Sequence, residues 1–234
     1  MSVEKAVEEI QKGNFVLVHD ASEREDETDM FIAAEKTTPE DVAKMRNDGG
    51  GLICTSMNPK SAKNLDLPLM SEIYQKASSD FKILQSAEAD DIPYGERSSF
   101  SITVNHRDTF TGITDEDRSL TIRKLAEIGE EALDSSPIEE FGKKFRSPGH
   151  VPMLRAADNL FEQRDGHTEY SIALMEMAGL KPAGVVCEMM DEETHGAMSG
   201  EKTEKYAEEN GMVRLEGDEI KEEYLEWKNK SGGK

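Results

Sequence analysis

The sequence predicts an α+β protein built on a mixed β-sheet that helices cover on both faces. Short apolar runs typical of strands recur along the chain, and segments with helical periodicity separate them. Several connections are too short for the crossover that joins parallel strands, so part of the sheet must be antiparallel. No repeat, linker or shift in composition divides the chain, and we therefore expect residues 1–234 to form a single domain.

The first half of the chain contains three predicted strands and two predicted helices. Apolar residues from Val3 to Ile10 share one helical face, and Gly13 ends that helix. The runs "FVLVHD" and "MFIAAE" are predicted strands that flank an acidic loop. Thr38 caps the second helix, which three glycines end before the strand "LICTSM". Residues 58–97 carry weak signals, and we expect loops and at most one helix there.

The second half alternates strands and helices more clearly. "FSITVN" and "AGVVCEMM" are predicted strands, and "DEDRSLTIRKLAEIG" and "HTEYSIALMEMAGL" are predicted helices, the latter ending at Gly179. The segment "SSPIEEFGKKFRSPGHVPML" is rich in turn residues, so we expect the chain to return through turns there. Two acidic amphipathic helices near the C-terminus surround "MVRL", which we predict to be an edge strand.

The composition excludes several classes of partner. The chain has 49 acidic and 28 basic residues and a formal charge of -21, which repels nucleic acid and anionic membranes. No apolar window approaches the roughly 20 residues that span a bilayer, and the N-terminus lacks the pattern of a secretion signal, so we expect a cytoplasmic protein. Cys54 and Cys187 lie in apolar runs, which favours buried, reduced thiols.

The stretch "SEREDETDM", residues 22–30, places five carboxylates and Arg24 among nine residues. Water, Arg24 or a bound cation must offset the repulsion between those carboxylates. A solvated acidic loop is the simpler interpretation. However, the loop joins two predicted strands, and loops at the end of a sheet commonly display site residues, so we favour a cation site.

Two of the five histidines lie in turns flanked by glycine, His150 in "SPGHVP" and His167 in "RDGHTE". A single histidine is more often structural, but glycine lets the backbone approach a ligand closely. Gly166, His167 and Thr168 are predicted to lie at a helix N-terminus, which favours an anion, and Arg164 could bind a phosphate. Capping by Thr168 alone is the structural alternative.

Glu188 is a lone carboxylate in the apolar strand "VVCEMM". Burial there would raise its pKa and suit it to proton transfer, whereas an outward-facing position would have no such effect. Together these residues predict a divalent cation held by carboxylate and imidazole, an anion-binding helix end and separate acid/base groups. Such a combination suits a phosphorylated sugar or polyol.

Five motifs occur in an order and spacing that resemble one enzyme family. They are "REDETDM", "GGLICTSM", "TGITDEDRSLTIRKLA", "SPGHVPMLRA" and "RDGHTEYSIALMEMAGLKPAGVVCEMM", and they extend from Asp20 to Asp191. The sequence resembles the 3,4-dihydroxy-2-butanone 4-phosphate synthases of riboflavin biosynthesis, in their stand-alone form. The resemblance implies a three-layer α/β/α fold and a homodimer whose active site lies near the subunit contact. It also implies a lyase that converts D-ribulose 5-phosphate to L-3,4-dihydroxy-2-butanone 4-phosphate and formate, with one or two Mg²⁺ or Mn²⁺ ions.

The resemblance also assigns roles to residues of this chain. Glu25 and His167 match the metal ligands, and His150 and Glu188 match two residues essential for catalysis, either of which could be the base. The positions that match substrate-binding residues are Arg24, Glu25, Asp29, Arg164, Asp165, Gly166, His167, Thr168 and Glu188. Asp20, Glu27, Cys54 and Thr111 match positions near the pocket.

The sequence departs from the family pattern at three positions. Asp26 and Thr28 stand where bacterial members have Asn and Gly, and Asp165 replaces a residue that is usually small. Two other classes of function stay open at this point, a non-catalytic binding module and a metal-dependent sugar-phosphate isomerase or aldolase. Release of formate from ribulose 5-phosphate separates the synthase from both.

Overall fold

The computed structural model describes residues 3–20, 24–92 and 97–230. Within these ranges, seven strands form one sheet. The strands are β1 Val16–His19, β2 Thr28–Ala33, β3 Cys54–Met57, β4 Phe100–His106, β5 Phe145–Arg155, β6 Ala183–Glu188 and β7 Val213–Glu216. Their order across the sheet is β4-β5-β3-β6-β2-β1-β7.

The sheet is mixed, as the sequence predicts. β1 pairs with β7 and β3 pairs with β5 in parallel, whereas β1 with β2, β2 with β6, β3 with β6 and β4 with β5 are antiparallel. The strand predicted at "MVRL" corresponds to β7, which lies at one edge of the sheet. These features confirm the predicted fold class.

Helices cover both faces of the sheet and complete three layers. The α-helices of the described residues are α1 Val3–Lys12, α2 Pro39–Asp48, α3 Pro59–Asn64, α4 Met70–Ala77, α5 Lys82–Ser86, α6 Asp115–Glu131, α7 Ile138–Lys144, α8 His167–Ala178, α9 Gly200–Asn210 and α10 Gly217–Lys230. Short 3₁₀ helices occupy Ala34–Lys36 and Leu160–Glu162. None of the helices in the described ranges is both long and apolar enough to cross a bilayer.

Each face of the sheet has its own apolar core. On one face, α2 and α6 pack on the sheet through residues such as Met45, Ile122 and Leu125, all fully buried. On the other face, α1, α8 and α10 pack through residues such as Ile10 and Ile172. Burying one such side chain stabilises the fold by about 1.5–3 kcal/mol. The two cores confirm the three-layer arrangement.

Local sequence signals fix several helix ends. Thr38 accepts a hydrogen bond from the backbone N–H of Asp41, and the Asp41 carboxylate accepts one from the backbone N–H of Thr38. This reciprocal cap satisfies two N–H groups that lack partners at a helix start. Gly179 ends α8 with a φ of 65°, in the left-handed region that favours glycine. Both predicted helix ends are confirmed.

The prediction for two segments was wrong. The segment expected to return through turns contains α7 and the strand β5, which has 11 residues. Residues 58–97, expected to hold at most one helix, contain α3, α4 and α5, with residues 93–96 outside the described ranges. The helix α4 carries apolar residues at helical spacing, Met70, Ile73, Tyr74 and Ala77, which the sequence interpretation did not use, whereas α5 has only five residues.

Candidate active site

The acidic loop and the N-terminus of α8 meet at one end of the sheet. Glu25 and His167 are 142 residues apart in the chain, yet the Glu25 Oε2 lies 3.2 Å from the His167 Nδ1. The loop connects β1 to the antiparallel β2, and α8 packs on the face of the sheet beside them. The fold therefore unites the two side chains that match the family's metal ligands.

Asp20 extends this pair to a cluster that could hold a cation. Asp20, Glu25 and His167 each offer a ligand atom, and these atoms lie within 4.8 Å of one another. Asp29 approaches from β2, with its Oδ1 3.7 Å from the His167 Nε2. Carboxylate oxygens and an imidazole nitrogen are donors that Mg²⁺ and Mn²⁺ accept.

Two buried atoms in this cluster lack hydrogen bonds. Among the described residues, neither the Asp29 Oδ1 nor the His167 Nε2 has a hydrogen-bond partner. A buried polar atom without a partner costs about 1–3 kcal/mol, so such atoms call for an explanation. A cation beside them would supply the missing interaction. The residues present therefore fit a divalent cation.

Arg24 neutralises part of the acidic loop. Its Nη1 donates to the Asp20 Oδ2 at 2.5 Å and lies 3.2 Å from the Glu25 Oε2. Gly166 leaves room for this guanidinium, since a Cβ at Gly166 would lie 2.6 Å from the Arg24 Nη2. A larger residue at the start of α8 would therefore displace the Arg24 guanidinium from this position.

The substitutions in the acidic loop are compatible with its structure. Asp26 has a φ of 53°, a left-handed conformation that aspartate tolerates almost as well as asparagine. Thr28 is buried at the start of β2, where its Oγ1 lies 3.1 Å from the His19 Nδ1. Glu23 belongs to the same loop but lies outside the described residues.

The proximity of these charges shifts their pKa values strongly. Burial would raise the pKa of Glu25, but the hydrogen bond with His167 and the charge of Arg24 outweigh it and lower that pKa to about 2. Burial would lower the pKa of His167, yet Asp29 and Glu25 raise it to about 9. Burial raises the pKa of Asp29 to about 8, and His167 opposes that shift. These shifts favour protons within the cluster, so a cation would compete with protons for it.

Glu188 lies beside this cluster on β6. It pairs with Asp29 across β2 and β6, and burial is the main cause that raises its pKa. Cys54 pairs with Val186, two residues before Glu188, and burial raises the pKa of its thiol well above the ordinary value. Both cysteines are buried and free, as predicted. Glu188, Asp29 and Glu27 are thus three carboxylates near the cluster whose pKa values are raised, in each case mainly by burial.

The N-terminus of α8 carries a second group of polar contacts. Gly166 precedes the helix in an extended conformation, and the Thr168 Oγ1 lies 3.0 Å from the Ser99 Oγ. Arg164 donates through Nη1 to the fully buried Glu169 Oε2 at 2.5 Å. Asp165, where the family usually has a small residue, accepts a hydrogen bond from the Lys221 Nζ. Its carboxylate therefore contacts α10.

A pocket of about 500 Å³ adjoins this helix end. Arg97, Arg155 and Arg164 line it together with Ser99. The sequence interpretation did not identify Arg97, Arg155, Ser99 or Glu169. Recognising "VPMLR" as a strand would have placed Arg155 at a strand end, where site residues are common.

His150 stands apart from the cluster. It lies on β5, which β3 separates from β6, so its backbone is about two strand spacings, ~10 Å, from that of Glu188. The imidazole is exposed and contacts Asn105, with the His150 Nδ1 3.1 Å from the Asn105 Nδ2. In the described chain, Glu25, Asp29, His167 and Glu188 thus lie together, whereas His150 contacts Asn105.

Comparisons with known proteins identify the family of this chain. The family model of 3,4-dihydroxy-2-butanone 4-phosphate synthase matches residues 4–223. The synthase of Methanothermobacter thermautotrophicus is 49% identical over 97% of each chain, and that of Archaeoglobus fulgidus is 48% identical over 97% of this chain and 96% of its own. A crystal structure of a 3,4-dihydroxy-2-butanone 4-phosphate synthase in complex with two magnesium ions has a TM-score of 0.77 and 29% identity, covering 100% of this chain and 99% of its own. The chain belongs to the 3,4-dihydroxy-2-butanone 4-phosphate synthase family.

Proposed function

We propose that this protein converts D-ribulose 5-phosphate to L-3,4-dihydroxy-2-butanone 4-phosphate and formate, as a lyase of riboflavin biosynthesis. The observation that carries the proposal is the meeting of Glu25 and His167 beside a helix N-terminus. Family membership supports the reaction. The whole chain, residues 1–234, acts as one domain, which is consistent with a single sheet that contains strands from Val16 to Glu216.

Glu25 and His167 hold a divalent cation, with Asp20 within reach of the same site. Either Mg²⁺ or Mn²⁺ suits these donors, and one or two ions fill the site; the related structure with two magnesium ions supports Mg²⁺. When bound, the cation supplies positive charge that stabilises the negative charge developing on the oxygens of the ketose. Substrate binding and proton transfer are carried out by residues of the chain.

The N-terminus of α8 binds the phosphate of the substrate. Free N–H groups at a helix start and the helix dipole favour an anion. Arg164 and Thr168 flank that helix end, and Glu169 fixes the Arg164 guanidinium through an ion pair of 2.5 Å. The phosphate contacts would orient the ketose so that its reactive carbons lie towards Glu25 and Glu188. Arg24, Asp29, Asp165 and Gly166 complete the substrate-binding positions.

Glu188 and His150 are the two catalytic residues. Glu188 lies beside Asp29, and burial raises its pKa. A raised pKa makes the carboxylate a stronger base for removing a proton from carbon. His150 is exposed on β5. A second copy of the chain would bring a His150 to the cluster from outside.

The protein acts as a homodimer with the active site at the subunit contact. Phe110, with 94% of its surface exposed, and Ile113, with 51%, lie on the loop after β4, close to the strand that carries His150. Exposed apolar side chains of this size mark protein interfaces. We place the enzyme in the cytoplasm, where free thiols such as those of Cys54 and Cys187 stay reduced.

An assay for formate release from ribulose 5-phosphate tests the proposed function. We expect Glu25→Gln and His167→Asn each to abolish formate release and to weaken Mg²⁺ binding. Glu201→Gln and His195→Asn are matched controls at exposed positions, and asparagine tolerates the φ of 60° at His195. Normal turnover in the first two variants would exclude the metal assignment. Consumption of substrate without formate would instead indicate an isomerase or aldolase.

A further inference from the structure

The segment "SPGH" leaves the β-ladder and depends on side chains of β4. Val104 pairs with Val151, but the next residue, Asn105, pairs with Arg146, so residues 147–150 bulge out between them. Backbone N–H groups in a bulge lose their ladder partners. Here the N–H of Gly149 donates to the Thr103 Oγ1 at 3.1 Å. The N–H of His150 donates to the Asn105 Oδ1 at 2.8 Å.

Asn105 contacts both the backbone and the ring of His150, and the backbone contact determines which amide atom faces the ring. The backbone N–H of His150 can only donate, so the amide oxygen of Asn105 must face it. The amide nitrogen of Asn105 then faces the imidazole, with its Nδ2 3.1 Å from the His150 Nδ1. An amide nitrogen donates and does not accept hydrogen bonds. The His150 Nδ1 must therefore accept, and the neutral ring carries its proton on Nε2.

The surroundings prevent the Asn105 amide from turning. Its side chain is buried, and its Nδ2 also donates to the backbone oxygen of Thr111 at 3.5 Å. Gly112, with a φ of +92°, closes over the amide, since a Cβ there would lie 2.0 Å from the Asn105 Nδ2. The N–H of Gly112 donates to the Asp117 Oδ2 at 2.7 Å, which ties this loop to the start of α6.

We propose that Asn105 is a positioning residue that holds His150 as the tautomer protonated on Nε2, which makes His150 a hydrogen-bond donor and leaves Glu188 as the base. The assignment to Glu188 rests on the proposed function. With Nδ1 engaged by Asn105 and a proton on Nε2, the neutral ring has no lone pair free to remove a proton.

In the resulting first step, a carboxylate oxygen of Glu188 takes the proton from the carbon next to the ketose carbonyl. The electron pair of that C–H bond becomes the C=C bond of an enediolate, and the π pair of the carbonyl moves to its oxygen. The Nε2–H of His150 donates a hydrogen bond to the substrate at this stage and keeps its proton.

Nitrogen-15 NMR of histidine side chains tests the tautomer directly in the wild-type enzyme. At about pH 8, we expect the neutral ring of His150 to show an unprotonated Nδ1 and a protonated Nε2. The spectrum of His150→Asn identifies the signals. A protonated Nδ1, or an average of the two tautomers, would overturn the proposal. This readout does not depend on activity.

Asn105→Asp supplies the kinetic test. A carboxylate of the same shape still accepts from the backbone N–H of His150, but it also accepts from the ring and so moves the ring proton to Nδ1. We expect the NMR pattern to reverse and kcat to fall about 10- to 100-fold, the usual effect of losing a positioning partner, while KM changes little. Asn210→Asp, the same change at an exposed position, should alter neither.

Two outcomes of the variant would contradict the proposal. One is an Asn105→Asp enzyme whose His150 keeps its proton on Nε2, and the other is a reversed pattern with an unchanged kcat. If the wild-type enzyme releases no formate, the proposed function fails, whereas the NMR measurement still decides the role of Asn105. If Asn105→Asp does not fold, the wild-type spectrum alone can overturn the tautomer.

Discussion

The affinity for Mg²⁺ should depend steeply on pH. The imidazole of His167 must be neutral to bind a cation, and its pKa in the metal-free protein is raised to about 9 because Asp29 and Glu25 outweigh the effect of burial. Each pH unit below this pKa reduces the neutral fraction about tenfold. Relative to the plateau reached above pH 9, we therefore expect the apparent Kd for Mg²⁺ to be about tenfold weaker at pH 8 and about 100-fold weaker at pH 7.

Isothermal titration calorimetry measures this dependence. Titrations of Mg²⁺ at constant ionic strength, in buffers with different ionisation enthalpies, give both the Kd and the number of protons released. We expect release of one to two protons near pH 7, one from His167 and part of a second from Asp29. Asp29, whose pKa is raised to about 8 chiefly by burial, changes the affinity in the same direction. A Kd that stays constant from pH 7 to pH 9, without proton release, would refute the reasoning.

Three further perturbations test other parts of the structure. Gly149→Ala should destabilise the fold by about 3 kcal/mol in urea unfolding, because its Cβ would lie 1.9 Å from the backbone carbon of Val104. Arg164→Lys should raise the KM for ribulose 5-phosphate about tenfold in steady-state assays, with a smaller change in kcat, since lysine lacks the planar fork that binds phosphate. Phe110→Asp should convert the proposed dimer to monomers in sedimentation velocity, because it places a charge in the proposed apolar contact.

Each of these changes has a matched control. Gly142→Ala lies in α7, where a Cβ meets no atom within 4 Å, and should stabilise the protein by up to about 1 kcal/mol. Arg46→Lys, at a half-exposed position, should leave the KM unchanged. Phe81→Asp, at another exposed phenylalanine, should leave the proposed dimer intact. Equal effects of a variant and its control would contradict the corresponding assignment.

Local signals in the sequence were sufficient for much of the fold. Thr38 and Gly179 identified helix ends because capping depends on residues within one turn. The strand β5 was not predicted because the bulge at residues 147–150 interrupts its alternation of apolar and polar residues. The hydrogen bonds that replace the ladder there are accepted by Thr103 and Asn105 on β4. The helix α5 has too few residues for a periodic pattern, whereas the helical spacing of apolar residues in α4 was present in the sequence and was overlooked.

The sequence predicted those residues of the candidate site that stand in unusual local patterns. The density of carboxylates around Glu25 and the glycine beside His167 are visible in the sequence, and the structure unites these two residues. Asn105 and Glu169 carried no such signal, since an asparagine in a strand and a glutamate in a first helical turn are ordinary. Their roles depend on contacts with His150 and Arg164, which only the fold reveals.

A crystal structure with Mn²⁺, located by anomalous scattering, tests most directly whether Glu25 and His167 hold the same ion. We predict an anomalous peak between the Glu25 carboxylate and the His167 imidazole, at bonding distance from both. A peak bound to only one of these residues, or to neither, in crystals of an enzyme that releases formate with Mn²⁺ would contradict the central claim.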